Sequence, residues 1–448
     1  MTGWIGGRTM QADVTKAPDF SFRSDTYAWS VVAVMCVGSV VSMLDRQIVN
    51  MLVEPIKADL GVSDTQISLL QGFAFALFYA VMAIPIGRLA DTANRRNIIL
   101  YGTILFSVAT ASGGLAASFL ALFLSRMAVG VGEATLQPAG FSMLGDYFPK
   151  DRLGRAVGLL IGTTYVGAGV ALAAIGALLD LLGKHDDVVV PGLGPVADWQ
   201  AAFVISGLVS LVFAALMLMV REPPRQGQKA VREPAASPGE LWGFLRDNRT
   251  LMAPVFLGMP LLAASQFGLN AWAPTFFMRS YGWSPGEIGP ILGLMLMTLS
   301  PLGVLAGGWF VDRAVRSGRD DGYLRVPALS ALASAPFVAL FPLAPTGEVA
   351  LMLMAPVLFF GAMPFASGSA SIIALAPNPM RAQLTAINLL IANLVGAGVG
   401  PWAVAAFTDG VLGDPARLNL SIAIVSTGLL LVGTAAVAAG WRSMRRPA

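Results

Sequence analysis

Histidine and cysteine are almost missing from this 448-residue chain, which has one of each. With Cys36 alone, no intramolecular disulfide can form. Cys36 lies inside an apolar run. His185 lies in a loop-like stretch and reads as solvated, so no histidine-based metal site is expected. Charge is scarce as well. Asp, Glu, Lys and Arg make up 12% of the chain, against roughly 25% in a soluble domain. The net charge of +3 is small for the length. The charges fall in short clusters between long apolar runs, which argues against a nucleic-acid face. No GxxxxGK[ST] loop occurs, and the loops are too short for a nucleotide domain. No cofactor is therefore expected. The first 27 residues are polar and mixed in charge. They lack the apolar core of about 7–15 residues and the small-residue cleavage site of a signal peptide. The first apolar run is thus expected to remain as a membrane span.

What the chain does hold is apolar surface, with 56% of its residues hydrophobic. A soluble protein of this composition would expose large apolar patches, so lipid is its natural solvent. A spanning helix needs about 20 mostly apolar residues, and twelve segments qualify. Six lie near 28–52, 65–88, 97–119, 121–147, 153–182 and 200–220. The other six lie near 251–277, 286–311, 326–346, 349–376, 382–408 and 418–440. The fold class is therefore all-α and integral to the membrane. A tail, 1–27, precedes a six-helix bundle over 28–220. A polar linker, 221–249, ends in a short amphipathic piece. A second six-helix bundle over 250–440 and a tail, 441–448, follow. Glycine and alanine are frequent in the spans and let membrane helices approach closely. The run from Asn393 to Pro401 is one such face. Lysine and arginine fix the orientation. If both termini are cytoplasmic, all of the 29 basic residues lie in cytoplasmic segments except Arg46 and Arg126 within spans and Lys57, Lys184, Arg279 and Arg417 on the far side.

The two halves are related. A shift of 221 positions superimposes Gly61, Ser63, Ile67, Gly72, Gly87, Asp91, Ala93 and Arg95 on Gly282, Ser284, Ile288, Gly293, Gly308, Asp312, Ala314 and Arg316, without a gap. Apolar bias inflates such matches, and chance likeness between two hydrophobic hairpins is the alternative. The polar matches weigh against chance, because GxxxDxxxR recurs at the same place. Two halves related by a repeat is a transporter architecture.

Charge inside a span costs about 2.5–3.5 kcal/mol on insertion scales and needs a reason. Asp45 and Arg46 sit late in the first candidate helix, Arg126 and Glu133 in the fourth. Arg126 and Glu133 are seven residues apart, close to two helical turns, and share a face about 10 Å apart along the axis. Asp45 and Arg46 point roughly 100° apart, so one arrangement has Arg46 reaching Glu133 while Asp45 faces the cavity. A static salt-bridge cluster that locks the fold is one reading. A proton relay with a headgroup site is the other. In the second, Asp45 and Glu133 are the proton-coupling carboxylates, with Asp45 the main acceptor, and Arg46 and Arg126 form an ionic switch that binds a headgroup. With both acids ionised the four charges cancel, and protonating one leaves a positive site suited to an anion. The central parts of the last six spans hold no charge. The cavity is thus expected to have one ionic and one apolar wall. Met295, Met297, Met352, Met354 and Met363 are candidates for an adaptable apolar surface, or for ordinary packing and lipid contact. Asn270, Asn388 and Asn393 are candidate polar contacts there, or bonds between helices.

The segment from Gly87 to Arg96, GRLADTANRR, resembles the signature loop between the second and third helices of the major facilitator superfamily. The resemblance implies the major facilitator fold, twelve helices in two pseudo-symmetric bundles. It further implies that Gly87, Arg88, Asp91, Arg95 and Arg96 latch this loop against the other half in one of two alternating states. Thr92 stands where a basic residue is common. Asn94 stands where glycine is common, and asparagine tolerates a left-handed turn. Gly308, Asp312, Arg313 and Arg316 look like a degenerate second copy. Within the superfamily the chain is most similar to the spinster family. The marks are Asp45-Arg46, Arg126 followed by GVGEA over 130–134, and DYFPKDRLGRA over 146–156. That likeness implies proton-linked transport of lysolipid-like amphiphiles, of which sphingosine 1-phosphate is the best-known type.

The expected function is then a secondary active transporter of amphiphilic small molecules, driven by a proton gradient and working by rocking of two bundles. Its partners would be the substrate, protons and membrane lipid, with no nucleic acid. It would act as a monomer in a bacterial inner membrane. A multidrug or organic-anion exporter of the same fold is the alternative. An integral membrane enzyme would need metal-spaced histidines or a nucleophile with its base, which the chain lacks. A scramblase or receptor would ignore the proton gradient.

Overall fold

The computed structural model describes residues 25–183, 188–190, 194–225, 237–319 and 321–444. The expectations placed on His185, on residues 1–24 and on the middle of the linker fall outside them. Long helices dominate. In the first half these are α1 (Asp25–Met51), α2 (Asp64–Thr92), α3 (Arg95–Gly113), α4 (Phe119–Tyr147), α5 (Asp151–Leu182) and α6 (Asp198–Met219). In the second they are α7 (Arg249–Tyr281), α8 (Pro285–Arg316), α9 (Gly322–Leu343), α10 (Gly347–Ile372), α11 (Asn378–Leu412) and α12 (Pro415–Ser443). Eleven of them are long and apolar enough to cross a membrane. The exception to the expected twelve is α3, which spans 19 residues and opens on Arg95-Arg96-Asn97. It ends at Gly113 rather than 119, because Ser118 caps the start of α4 and needs a turn before it. It nonetheless packs between α4 and α6. Among the described residues, the one departure from an all-helical fold is a two-stranded antiparallel ribbon, β1 (Val188–Val190) with β2 (Gly194–Val196).

Between the halves, Pro238–Asp247 forms a short helix, capped by Ser237 and Glu240, which satisfy each other's backbone N–H groups. Glu240 is outside the spans, and the bonds it accepts from Ser237 hold its carboxyl below the usual range.

The repeat has a local structural cause. Gly61 and Gly282 both take the left-handed conformation that ends a helix, with φ of 63° and 70°. Ser63 and Ser284 both cap the next helix, each in a capping box with the residue three further on, Gln66 and Glu287. Ile67 and Ile288 are both fully buried. Matching residues thus do matching work at the start of α2 and of α8.

The halves meet along two seams, α2 with α11 and α5 with α8. Both are glycine-lined. A Cβ added to Gly72 would lie 1.6 Å from the Ala397 carbonyl oxygen, and one on Gly293 would lie 2.3 Å from that of Gly169. Backbone therefore meets backbone, the approach that small residues permit. On the α2 seam both strips are π-helical, Leu69–Phe73 facing Leu394–Val399. Such turns often mark functional sites. The Asn393–Pro401 face also closes on α7, with Gly400 against the Ala264 carbonyl.

Polar contacts between the halves lie toward the end opposite the termini. Arg279 of α7 reaches Asp64 in a two-pronged pair, Nη1 to Oδ2 at 2.7 Å and Nη2 to Oδ1 at 2.8 Å. It also donates to Glu54 at 2.6 Å, and Lys57 pairs with Asp64 as well. Thr65 gives both its amide and its hydroxyl to Asp409, each at 2.7 Å. The Gly286 amide donates to Asp180 at 3.1 Å.

Candidate functional site

The four intramembrane charges meet inside the first half. On α1, Val31, Met35, Gly38, Ser42, Asp45 and Val49 form the buried stripe at helical spacing. Asp45 therefore faces the bundle, and its residue is fully buried. On α4, Leu122, Arg126, Val129 and Glu133 form the corresponding stripe. Arg46 sits at the edge of its stripe. Its Nε and Nη2 each lie 2.9 Å from Glu133 Oε2. The Ser42 hydroxyl donates to the same oxygen at 2.6 Å. The Arg46 guanidinium also lies over the Phe75 ring at 4.3 Å and the Tyr79 ring at 5.3 Å, a cation–π arrangement. The Tyr79 hydroxyl donates to Gln137 at 3.0 Å.

Arg126 and Asp45 are linked differently. Arg126 Nη2 donates to the backbone carbonyl of Asp45 at 2.8 Å. Both Asp45 carboxylate oxygens, Arg126 Nε and Nη1, and Glu133 Oε1 are buried without a hydrogen-bond partner. The hydroxyls of Thr110 and Ser210 flank the Asp45 carboxylate. This corrects one expectation. Arg46, with its side chain 30% exposed, is the member that meets open space, and Asp45 is sealed behind it. The 100° between neighbours separated the two residues correctly, but the buried stripe of α1 decides which one faces inward.

The signature loop is anchored within its own half, whereas the resemblance implied a latch against the other. Arg95 is buried and pairs with Asp146 and, at 2.7 Å, with Glu222. Arg96 donates to the carbonyls of Met217 and Leu218. Arg225 in turn donates to the carbonyls of Ala90, Asp91 and Ala93. These bonds tie the loop to the end of α6 and the start of the linker, as befits a state in which the halves meet at the opposite end. Asn94 is not left-handed. It has φ of −71° and caps α3 by accepting the Asn97 amide. Gly87 has open space around it, and Arg88 is exposed. In the second copy, Gly308 also has open space around it. Arg316 lies 3.8 Å from Asp312, both exposed, and Arg313 lies over the Trp309 ring.

The apolar-wall candidates scatter. Met352 is 73% exposed on the outer surface, whereas Met354 and Met363 are buried. Met295 packs against the core and Met297 lies against Gly169 on the α5–α8 seam. Asn388 is buried, Asn393 bonds its own helix at Leu389, and Asn270 meets Gln266 at 3.4 Å. These three do not form one cluster with the charges. The reading of residues missed Asp64, Arg279, Thr65 and Asp409, which join the halves. Their signal was faint, because Arg279 is one of the few basic residues expected on the far side. Among the described residues, no group of three or more His, Cys, Asp or Glu side chains is arranged to hold a metal.

A membrane protein of two repeated helical halves, with ion pairs buried in one of them, is a transporter architecture. Residues 35–401 match the Major Facilitator Superfamily, and the chain belongs to it. Among known proteins it is 29% identical over 409 residues to an MFS-type efflux pump of Mycolicibacterium smegmatis, covering 91% of each chain. It is 26% identical over 411 residues to human protein spinster homolog 1, covering 87% of this chain and 74% of that one. A crystal structure of a bacterial homologue of the human lysosomal transporter Spinster, inward-facing and unoccupied, superposes with a TM-score of 0.78 at 25% identity. It covers 94% of this chain and 98% of the other. The resemblance to the spinster family thus holds across the chain.

Proposed function

We propose that this protein is a proton-coupled secondary active transporter of amphiphilic, lysolipid-like or sphingolipid-like molecules. Twelve helices in two bundles alternate access across the membrane, both termini are cytoplasmic, and the state described is inward-facing. The observation that carries the reading is the buried Asp45 carboxylate. No cation donates to it, only the Thr110 and Ser210 hydroxyls flank it, and it stands behind Arg46, which meets open space. A buried carboxylate so poorly supplied with donors is costly while ionised, so it is the group that a proton satisfies. Arg46, partly exposed at the cluster's edge, is the group that meets an anionic headgroup. Charge on Asp45 and Glu133 then sets how strongly the two arginines attract that headgroup. The protein needs no cofactor, works as a monomer and resides in a bacterial inner membrane.

Export of drugs or organic anions is the second reading, favoured by the likeness to the mycobacterial efflux pump. The test is uptake of a labelled lysophospholipid by proteoliposomes, with and without an imposed pH gradient, beside Asp45→Asn. Uptake that follows the gradient, and loses that dependence in the variant, supports the proposal. Uptake indifferent to the gradient in both proteins makes the chain a facilitator or scramblase and the four charges a structural brace. Transport of unrelated drugs without lysophospholipid uptake favours the exporter.

A further inference from the structure

A sizeable cavity lies away from the four buried charges, in the second half. It has a volume of about 860 Å³ and occupies the cleft between α8 and α9, floored by Phe360 and Met363 of α10. It sits at the terminal end of the molecule, because Arg325 on its wall lies 5.6 Å over the ring of Trp441 near the end of α12. Its composition is graded. The floor and inner walls are apolar, with Ala333, Phe360 and Met363. The mouth carries four arginines, Arg313, Arg316, Arg319 and Arg325. Among the described residues the carboxylate within ion-pair distance of the four is Asp312, 3.8 Å from Arg316. Trp309 at the rim is 55% exposed, as expected of a tryptophan at the membrane–water boundary. Phe310 and Leu329 beside it are exposed large apolar groups, so the cleft opens toward acyl chains.

We infer that this cleft binds an anionic phospholipid of the surrounding membrane, its phosphate on the arginines of the α8–α9 turn and its acyl chain along the apolar floor. Basic pockets between spans on the cytoplasmic side hold anionic headgroups in this way. Charge selects the ligand: a zwitterionic headgroup would bring its own cation to four arginines. Depth selects it too, because a free anion would leave the apolar floor empty. The site is separate from the Asp45 cluster and does not depend on the transport reading.

The test is native mass spectrometry of the detergent-purified full chain, titrated with phosphatidylglycerol and with phosphatidylcholine. The variants are Arg313→Gln/Arg319→Gln, the equally charged control Arg246→Gln/Arg249→Gln on exposed positions outside the cleft, and Ala333→Phe, which fills the floor and leaves the charge intact. Each arginine lost from the cleft is expected to lower the preference for phosphatidylglycerol by about fivefold. Ala333→Phe is expected to weaken phosphatidylglycerol binding, and the control pair to leave it unchanged. Equal loss in both arginine pairs would mean diffuse surface attraction and overturn the proposal. Equal binding of the two lipids would do the same. Displacement of phosphatidylglycerol by millimolar inorganic phosphate would make this a soluble-anion site and also overturn it. If the arginine pair does not fold, Ala333→Phe decides alone.

Discussion

Asparagine in place of Asp64 removes the charge at the centre of the contact between the halves. Asp64 is fully buried and receives two bonds from Arg279, at 2.7 and 2.8 Å, besides the Lys57 ammonium. Loss of one partner of a buried ion pair costs about 3–5 kcal/mol. Arg279 keeps its 2.6 Å bond to Glu54, whose side chain is 46% exposed, and its 3.1 Å bond to the Pro415 carbonyl. The lower bound, about 3 kcal/mol, therefore applies. Tenfold in an equilibrium is about 1.4 kcal/mol, so the ratio of closed to parted molecules at this end falls on the order of a hundredfold. The assay is a spin-label distance measurement between cysteines placed at the exposed positions Ala58 and Val411, in a Cys36→Ser background. The parent should show mainly the short distance and Asp64→Asn a dominant longer one. Combining Asp64→Asn with Arg279→Gln should cost less than the sum of the two, because Arg279 and Asp64 are removed together and neither is left facing a missing partner. An unchanged distance distribution with a lowered melting temperature would refute the reasoning, since the contact would then brace the fold without gating it.

Further outcomes follow from other sites. Gly72→Ala, whose methyl carbon would lie 1.6 Å from a backbone oxygen across the seam, should disfavour closure of that end in the same distance measurement while leaving helix content by circular dichroism intact. Arg95→Gln removes the buried guanidinium that Asp146 and Glu222 share, and loss of a buried pairing costs about 3–5 kcal/mol, so a clear drop in melting temperature in detergent is expected. Glu133→Gln removes the carboxylate charge that holds Arg46. Lysophospholipid affinity in a binding titration should change, whereas an equivalent change at Gln137 should have a smaller effect. Phe75→Leu removes the ring under the Arg46 guanidinium. Such a contact is worth about 0.5–2 kcal/mol, so a several-fold change in half-saturating substrate concentration is expected, with gradient dependence retained.

Much of the architecture was legible because lipid imposes a length on every span. Each candidate segment has its helix, and the segment that misses the apolar requirement, α3, is the one that begins with Arg95-Arg96-Asn97. The repeat was legible where turns demand particular residues. Gly61 and Gly282 must turn left-handed, and Ser63 and Ser284 must cap. Helical spacing offered the Arg46–Glu133 approach as one arrangement, and the structure contains it. What stayed hidden were directions set by partners distant in the chain. Which of Asp45 and Arg46 faces inward depends on where α4 and α6 pack. Asp64 and Arg279 are 215 positions apart, and nothing in the sequence pairs them. Arg95 looked like a surface latch, because nothing in its neighbourhood announces Asp146 or Glu222.

The glycine seams carry a consequence for how the two halves can move. Gly72 and Gly293 occupy the same position in the two repeats, and each presses against a carbonyl of the opposite half. The same local contact therefore recurs at both seams. A mutation that props one ajar strains the other, since the same rigid bundles bear on both. Neither seam can be loosened alone, and the symmetry of the repeat acts as a mechanical coupling between the two halves.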